Sequence, residues 1–327
     1  MDLRVLFYGS PGEAVPFLEM LAGRTNVVAA VTKPEKPKGR GLAMPGPGPV
    51  KIAAGRLHIP VFEPEDPREI EGTLKSLKPD LGVAVAYGRI LKPSLIELPA
   101  LGTLNVHFSL LPRHRGPAPI AWCIRRGETK TGVTVFWIDA GVDTGPVFLS
   151  RSLEVAREED FASLKKRLVA LGVSALAEAV AEIRAGRIVK TPQAGEPSLA
   201  PKLGPADARV SLENDAVDVH NLVRSLAAGP SPYIEILSGG RAARLILRKT
   251  RPVPSGPSGG ARPGTVVRID GPDGFVIECA KGTLLRILEV QLEGKKAVPA
   301  ASFLNGLRLR AGEALPLKTG PKESPAQ

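Results

Sequence analysis

The chain has 327 residues, 43% of them hydrophobic, with 44 Lys and Arg against 33 Asp and Glu, a formal net charge of +11; its pI is near 9.8 and its mean hydropathy +0.03. That length exceeds what one core organises, so two domains are expected, and the basic excess favours a polyanionic partner, nucleic acid first. The absence of any run of 18 apolar residues excludes a membrane-spanning helix, and two cysteines, Cys123 and Cys279, exclude a disulfide framework or a cysteine metal cluster.

In chain order, Met1 to Arg4 leads directly into a strand without the pattern of a secretory signal, so a cytoplasmic location is expected. Residues 3–9, 27–33, 81–87, 103–109 and 133–139 are short apolar, β-branched runs suited to buried parallel strands. Residues 13–21, 67–77 and 117–126 carry helical spacing between them. The pattern is βαβ and predicts a doubly wound, Rossmann-like α/β sheet. From 160 to 187, Phe161, Leu164, Leu168, Leu171, Leu176, Val180 and Ile183 recur every three to five residues, a long amphipathic helix that closes a first domain at residue 189.

Residues 190–205, with Pro192, Pro197, Pro201 and Pro205, read as a linker. Over 206–317 a helix near 214–226 is followed by strand candidates at 233–237, 244–249, 264–269, 275–279 and 284–292, separated by Gly-rich turns. This predicts a small antiparallel barrel of the OB type, an architecture that binds oligonucleotides. Residues 206–327 hold 17 Lys and Arg against 12 Asp and Glu, +5 of the total of +11. Residues 253–262 read as a mobile surface loop and 318–327 as a flexible tail.

The chemistry concentrates in the middle of the first domain. On a strand through 103–109, Asn105, His107 and Ser109 share one face. Asp143 lies 36 residues beyond His107, after the apolar run 133–138, so two strands would end near each other and bring an acid beside the base. Singly, His107 is more often a satisfied core histidine and Asp143 a turn residue bonding its own backbone. Followed by Ser109-Leu110-Leu111-Pro112, then Arg115-Gly116, and with Asp143-Thr144-Gly145 downstream, the block resembles the formyltransferases that use 10-formyltetrahydrofolate.

The resemblance runs over nearly the whole chain. Val5 to Pro11 matches the family's first strand and turn, while Lys33 to Gly41, Ala86 to Leu91 and Leu292 to Lys296 resemble the members acting on methionyl-tRNA. The 45–49 stretch is longer than the family's loop, and 228–232 lacks a tryptophan expected between its prolines. By this resemblance the enzyme transfers a formyl group from 10-formyltetrahydrofolate, its co-substrate, to the α-amine of methionyl initiator tRNA. Asn105, His107 and Asp143 would be catalytic; Ser109, Leu110, Leu111, Pro112 and the backbone of Ala86, Tyr87 and Gly88 would hold the folate; Lys36, Lys38 and Arg40 would meet the tRNA. A monomer is expected and no metal is required, since His58, His107, His114 and His220 show no ligand spacing.

The same residues bear on three other functions. Gly9-Ser10-Pro11-Gly12 is not the G-x-G-x-x-G of a dinucleotide site, and the second strand ends in Thr32-Lys33 where an NAD site needs an acid. A non-enzymatic RNA-binding protein accounts for the charge and the barrel but leaves Asn105, His107 and Asp143 without a role. A formyltransferase acting on an amino-sugar nucleotide is the alternative closest in chemistry.

Overall fold

The computed structural model describes residues 3–35, 46–226, 229–254 and 260–318. The chain divides into two compact units, Met1–Pro119 with Lys130–Glu154 and Lys165–Pro201, and Ile120–Thr129 with Val155–Leu164 and Lys202–Gln327. Residues 120–129 and 155–164, inside the range read as the first domain, therefore group with the later part of the chain.

The first stretch runs β1 (Arg4–Gly9), α1 (Val15–Ala22), β2 (Asn26–Val31), α2 (Pro49–Arg56), β3 (Val61–Phe62), α3 (Glu71–Ser76), β4 (Leu81–Val85), α4 (Pro93–Ile96), β5 (Thr103–His107), α5 (Pro119–Arg125), β6 (Lys130–Trp137), β7 (Val147–Glu154) and α6 (Phe161–Arg184). Its seven strands form one sheet in the order β3-β2-β1-β4-β5-β6-β7. From β3 to β5 every pairing is parallel. The sheet is buried on both faces: Val5 and Phe7 on one side of β1, and Leu6 and Tyr8 on the other, are all 0% exposed. Such strands need no alternation of polar and apolar residues, and their sequences show none. The chain leaves β1 toward β2 on one side and reaches β4 on the other, which makes the β1/β4 crevice the switch point of an open α/β sheet.

One expectation fails. The 133–139 run does not form a parallel strand: β6 pairs antiparallel with β5, and β7 antiparallel with β6. The intervening helix α5 groups from Ile120 onward with the second unit and so does not act as the crossover that a parallel neighbour requires. Strand β7 forms the sheet edge, with Arg151 and Ser152 exposed, as suits an edge protected from further pairing.

The second unit contains α7 (Ala216–Ser225), β8 (Tyr233–Ser238), β9 (Arg241–Val253), β10 (Val266–Ile269), β11 (Phe275–Glu278), β12 (Leu284–Leu292), β13 (Ala297–Pro299) and α8 (Ala300–Leu307). The strands follow the order β10-β11-β12-β9-β8, with β13 on β12, all antiparallel. The segment 312–318 links the two ends of this sheet. Gly312 N donates to Val266 O at 2.8 Å and Leu315 N to Gly264 O at 2.9 Å, while Leu237 N donates to Pro316 O at 2.7 Å and Lys318 N to Glu235 O at 3.0 Å. Both edge strands thereby find partners, and the sheet becomes the OB-like barrel read from the sequence. Lys318, assigned to the tail, is thus bonded; 319–327 and half of the 253–262 loop, 255–259, lie outside the described residues.

Leu315 anchors this closure at 3% exposure within the barrel core. Leu315→Ala is expected to lower unfolding free energy by about 2–5 kcal/mol, as buried Leu truncations do. Leu237→Ala, at a side chain 44% exposed, should cost under about 1 kcal/mol on the same area argument. Chemical denaturation of both variants checks the contrast, and equal losses would show that Leu315 is not the closing contact.

Candidate active site

Strand β5 is held from behind by two helices. Gly172, midway along α6, allows the close approach: a Cβ there would lie 2.9 Å from Phe17 Cζ on α1 and 3.3 Å from Val106 Cγ1 on β5. Val106 therefore faces the helices, and by strand alternation Asn105 and His107 face the other way. Asn105 is half-buried, and among the described residues no hydrogen bond engages its carboxamide. Its N–H groups are available to a ligand.

His107 is 6% exposed, with its ring edge-on to Phe136 at 6.5 Å. Its Nε2 lies 2.9 Å from the carbonyl oxygen of His114. That oxygen can only accept, so Nε2 carries the proton and Nδ1 is the basic nitrogen of the neutral ring. Nδ1 faces Asp143 Oδ2 at 3.6 Å, an ion-pair distance once the ring is charged but too long for a hydrogen bond. The simple expectation from such a pairing is a raised imidazole pKa. Here burial is the larger influence and pushes it below the ordinary value, with Asp143 and the His114 carbonyl only partly opposing. His107 rests neutral near pH 7.

Asp143 arrives by a route different from the one its sequence suggests. Because β6 is antiparallel to β5, with His107 opposite Thr134, the two strands end at opposite edges of the sheet and the acid returns on the 138–146 loop. Asp139 makes the turn in that loop, its Oδ1 accepting from Gly141 N at 3.0 Å and Thr144 Oγ1 at 2.7 Å. The turn role weighed against Asp143 thus belongs to Asp139. The Asp143 carboxylate instead reaches across the loops, Oδ2 accepting from Gly116 N at 2.7 Å. Gly116 has φ +116°, and a Cβ on it would lie 2.9 Å from Ala200 O, so the residue that presents this N–H tolerates no side chain.

Several partners of the site carry no motif in the sequence. The linker is bound to the 109–116 loop: His114 N donates to Ser198 Oγ at 2.9 Å, Arg115 N to Ser198 O at 2.8 Å and Ala200 N to Arg115 O at 2.7 Å. Gln193 Nε2 donates to the carbonyls of Asp143 and Gly145, and Gln193 Oε1 accepts from Arg115. A lone glutamine among prolines has no periodicity or motif that would mark it.

Of the remaining expected residues, Ser109 uses its hydroxyl to close its own loop, donating to Arg113 O at 2.6 Å. Leu110 and Leu111 stay half-buried and Pro112 is buried. Ala86 and Gly88 lie exposed just past β4 at the switch point, both in the left-handed region (φ +48° and +68°), which leaves backbone groups open there. Tyr87 is instead packed in the core against Tyr8, centroids 5.6 Å apart. Lys36, Lys38 and Arg40 lie outside the described residues. Among the described residues no group of three or more His, Cys, Asp or Glu is arranged to hold a metal, and no helix is long and apolar enough to cross a membrane.

Comparison with known proteins agrees with this layout. Residues 10–180 match the formyl transferase family and residues 202–308 its C-terminal domain. The methionyl-tRNA formyltransferase of Trichlorobacter lovleyi is 41% identical over 95% of this chain and 96% of its own, and that of Geobacter sulfurreducens 40% identical over 96% of each. Among solved structures, HypX from Aquifex aeolicus in complex with tetrahydrofolic acid superposes with a TM-score of 0.62 at 19% identity, covering 95% of this chain, which spans about half of HypX (48%). An N-formyltransferase from Helicobacter canadensis with folinic acid and dTDP-3-aminofucose also gives 0.62, at 16% identity over 87% of this chain and 98% of its own. At these identities the structures share the fold.

The neutral state of His107 has a measurable consequence. Unfolded, a histidine titrates near 6.5, and the folded value is lower. Below about pH 6.5 the unfolded chain therefore takes up a proton that the folded chain refuses, so stability is full above that pH and declines as pH falls. His220, buried in the second unit and pushed down to about 4, acts in the same direction. An NMR titration should place His107 below about 6.5, and Asp143→Asn should lower it further; a value above that in the native protein would mean that the carboxylate outweighs burial.

Proposed function

The chain belongs to the formyl transferase family, and on that premise we propose that Asn105, His107 and Asp143 carry out transfer of a formyl group from 10-formyltetrahydrofolate to the α-amine of methionyl initiator tRNA, giving the formylated initiator for translation. The donor supplies the formyl carbon. In the net step the amine nitrogen bonds to that carbon, the carbon's bond to the folate nitrogen breaks, and one proton passes from amine to folate nitrogen.

Each side chain suits one part of this change. The free carboxamide of Asn105 donates to the carbonyl oxygen as negative charge builds there, a contact whose loss typically costs about 10²–10³ in rate. Nδ1 of neutral His107 accepts the amine's proton, and the Asp143 carboxylate at 3.6 Å stabilises the imidazolium that results. The open backbone of Ala86 and Gly88, with the loop from Ser109 to Pro112, fits a folate at the sheet's switch point; Tyr87 takes part through its main chain.

The observation that carries the choice of acceptor is the similarity to enzymes named for methionyl-tRNA, at about 40% identity across both domains. Sugar formyltransferases share only the fold. The basic barrel unit suits an RNA partner, and Lys36, Lys38 and Arg40 are proposed to meet its acceptor end. A monomer in the cytoplasm is the form proposed for this reaction.

The test is formyl incorporation from 10-formyltetrahydrofolate, with methionyl-tRNA and an amino-sugar nucleotide offered side by side. Only the tRNA should be labelled; preferential labelling of the sugar would overturn the assignment. Asn105→Ala and His107→Ala should each lower kcat by about 10² or more with folate affinity little changed, and near-native turnover in either removes that residue from the chemistry. Arg40→Ala should raise KM for methionyl-tRNA by roughly tenfold, the loss of one strong charged contact; unchanged kinetics would place tRNA recognition elsewhere.

A further inference from the structure

Gln193 commits every polar atom of its carboxamide to other residues of the first unit. Nε2 donates to Asp143 O at 2.8 Å and to Gly145 O at 2.9 Å, and Oε1 accepts from Arg115 Nε at 3.2 Å and Nη2 at 2.7 Å. The orientation is unambiguous, because turning the amide over would set its oxygen against two carbonyls and its NH2 against a guanidinium. We propose that Gln193 is a positioning residue for formyl transfer, tying the backbone at Asp143 to the Arg115 side of the opposite loop and so holding the Asp143 carboxylate against His107. The proposal rests on the role assigned above to Asp143.

A purely structural role for Gln193 is poorly supported, because its segment has other anchors. Thr191 and Val147 exchange two backbone hydrogen bonds, at 2.7 and 2.9 Å, and the backbone of Ser198 and Ala200 is bonded to Arg115. Both ends of the segment stay in place without the Gln193 side chain, which is itself only half-buried. What the carboxamide adds is a link between two loops that each carry half of the site. One loop supplies the His114 carbonyl and the Gly116 N–H; the other supplies Asp143, held at a left-handed φ of +54°. The Asp143 carboxylate uses the same oxygen, Oδ2, for both of its contacts here, 2.7 Å from Gly116 N and 3.6 Å from His107 Nδ1. With its main chain released, that oxygen keeps the Gly116 bond only while the two loops remain in register, and the longer separation to His107 is the first to grow.

The experiment uses the full chain and a double-mutant cycle between Gln193→Met, a near-isostere without donors, and Asp143→Asn. Gln193→Met should lower kcat by about tenfold, in the range of coupling between residues of one hydrogen-bond network, with KM for both substrates within about twofold. In the Asp143→Asn background the same substitution should cost no more than about twofold, since the carboxylate it positions is already gone. The acid limb of the pH–rate profile should move to lower pH in both single variants, because each weakens the charge that supports protonated His107. Native kcat in Gln193→Met, or losses that multiply in the double variant, would overturn the proposal. Should Gln193→Met lower Tm by more than a few degrees, Gln193→Glu keeps the Arg115 partner while removing the donors: a similar kcat loss is expected, and native kcat overturns the proposal. Native turnover in Asp143→Asn would instead refute the role of Asp143, an outcome distinct from a failure at Gln193 alone.

Discussion

The hydrogen bond from His107 Nε2 to the His114 carbonyl is the constraint on which the rest of the site depends. It joins a side chain on a rigid buried strand to the backbone of an irregular loop, and it fixes the tautomer. With Nε2 committed, the basic nitrogen can only be Nδ1, and Nδ1 points toward Asp143. An acid on the other side of the ring would compete with the His114 carbonyl for the Nε2 proton and would leave Nδ1 without a charge partner once it is protonated. The 109–116 loop therefore does more than follow the catalytic strand. It sets which edge of the imidazole is reactive, and through Gly116 N–H it also receives the carboxylate.

The reversed direction of β6 follows the same logic. A parallel β6 would have carried its following loop to the carboxyl edge beside His107, as sequence pattern alone suggests. In the antiparallel arrangement the 138–146 loop must fold back, and this longer path needs its own internal turn. Asp139 provides that turn, leaving Asp143 free to act outward. Two aspartates four residues apart divide the work: one satisfies backbone locally, and the other is spent on the site.

What was legible in the sequence divides along physical lines. The five buried strands at 3–9, 27–33, 81–87, 103–109 and 133–139, the long α6 and the barrel strands announced themselves through apolar runs and periodicity, signals that burial imposes directly. Strand β3 has two residues and α4 has four, too short to carry a period. Helix α2 was hidden in a Pro/Gly stretch, although Pro49 at its first turn is a position where proline favours helix. Asn105, His107 and Asp143 could be grouped by strand alternation and resemblance, but the direction of β6 could not, because strand polarity depends on where the intervening helix packs. The clamp from 190–201 was unreadable for a related reason. Its bonds run mostly through backbone, which every residue possesses, and backbone partners leave no mark on composition.

The balance between burial and charge at His107 explains why the acid is needed at all. A buried imidazole resists protonation, which keeps it neutral and ready to accept a proton from an incoming ammonium or amine. The same burial makes the protonated ring costly at the moment it forms. A carboxylate within hydrogen-bonding range in the resting enzyme would remove that cost but would also hold the ring protonated beforehand, consuming the base. At 3.6 Å, with its oxygen shared with a backbone N–H, Asp143 is close enough to stabilise the imidazolium yet leaves burial dominant at rest. The separation itself is thus a functional quantity, and the groups that set it, Gly116 directly and the loop anchors behind it, matter to the chemistry without touching the substrate.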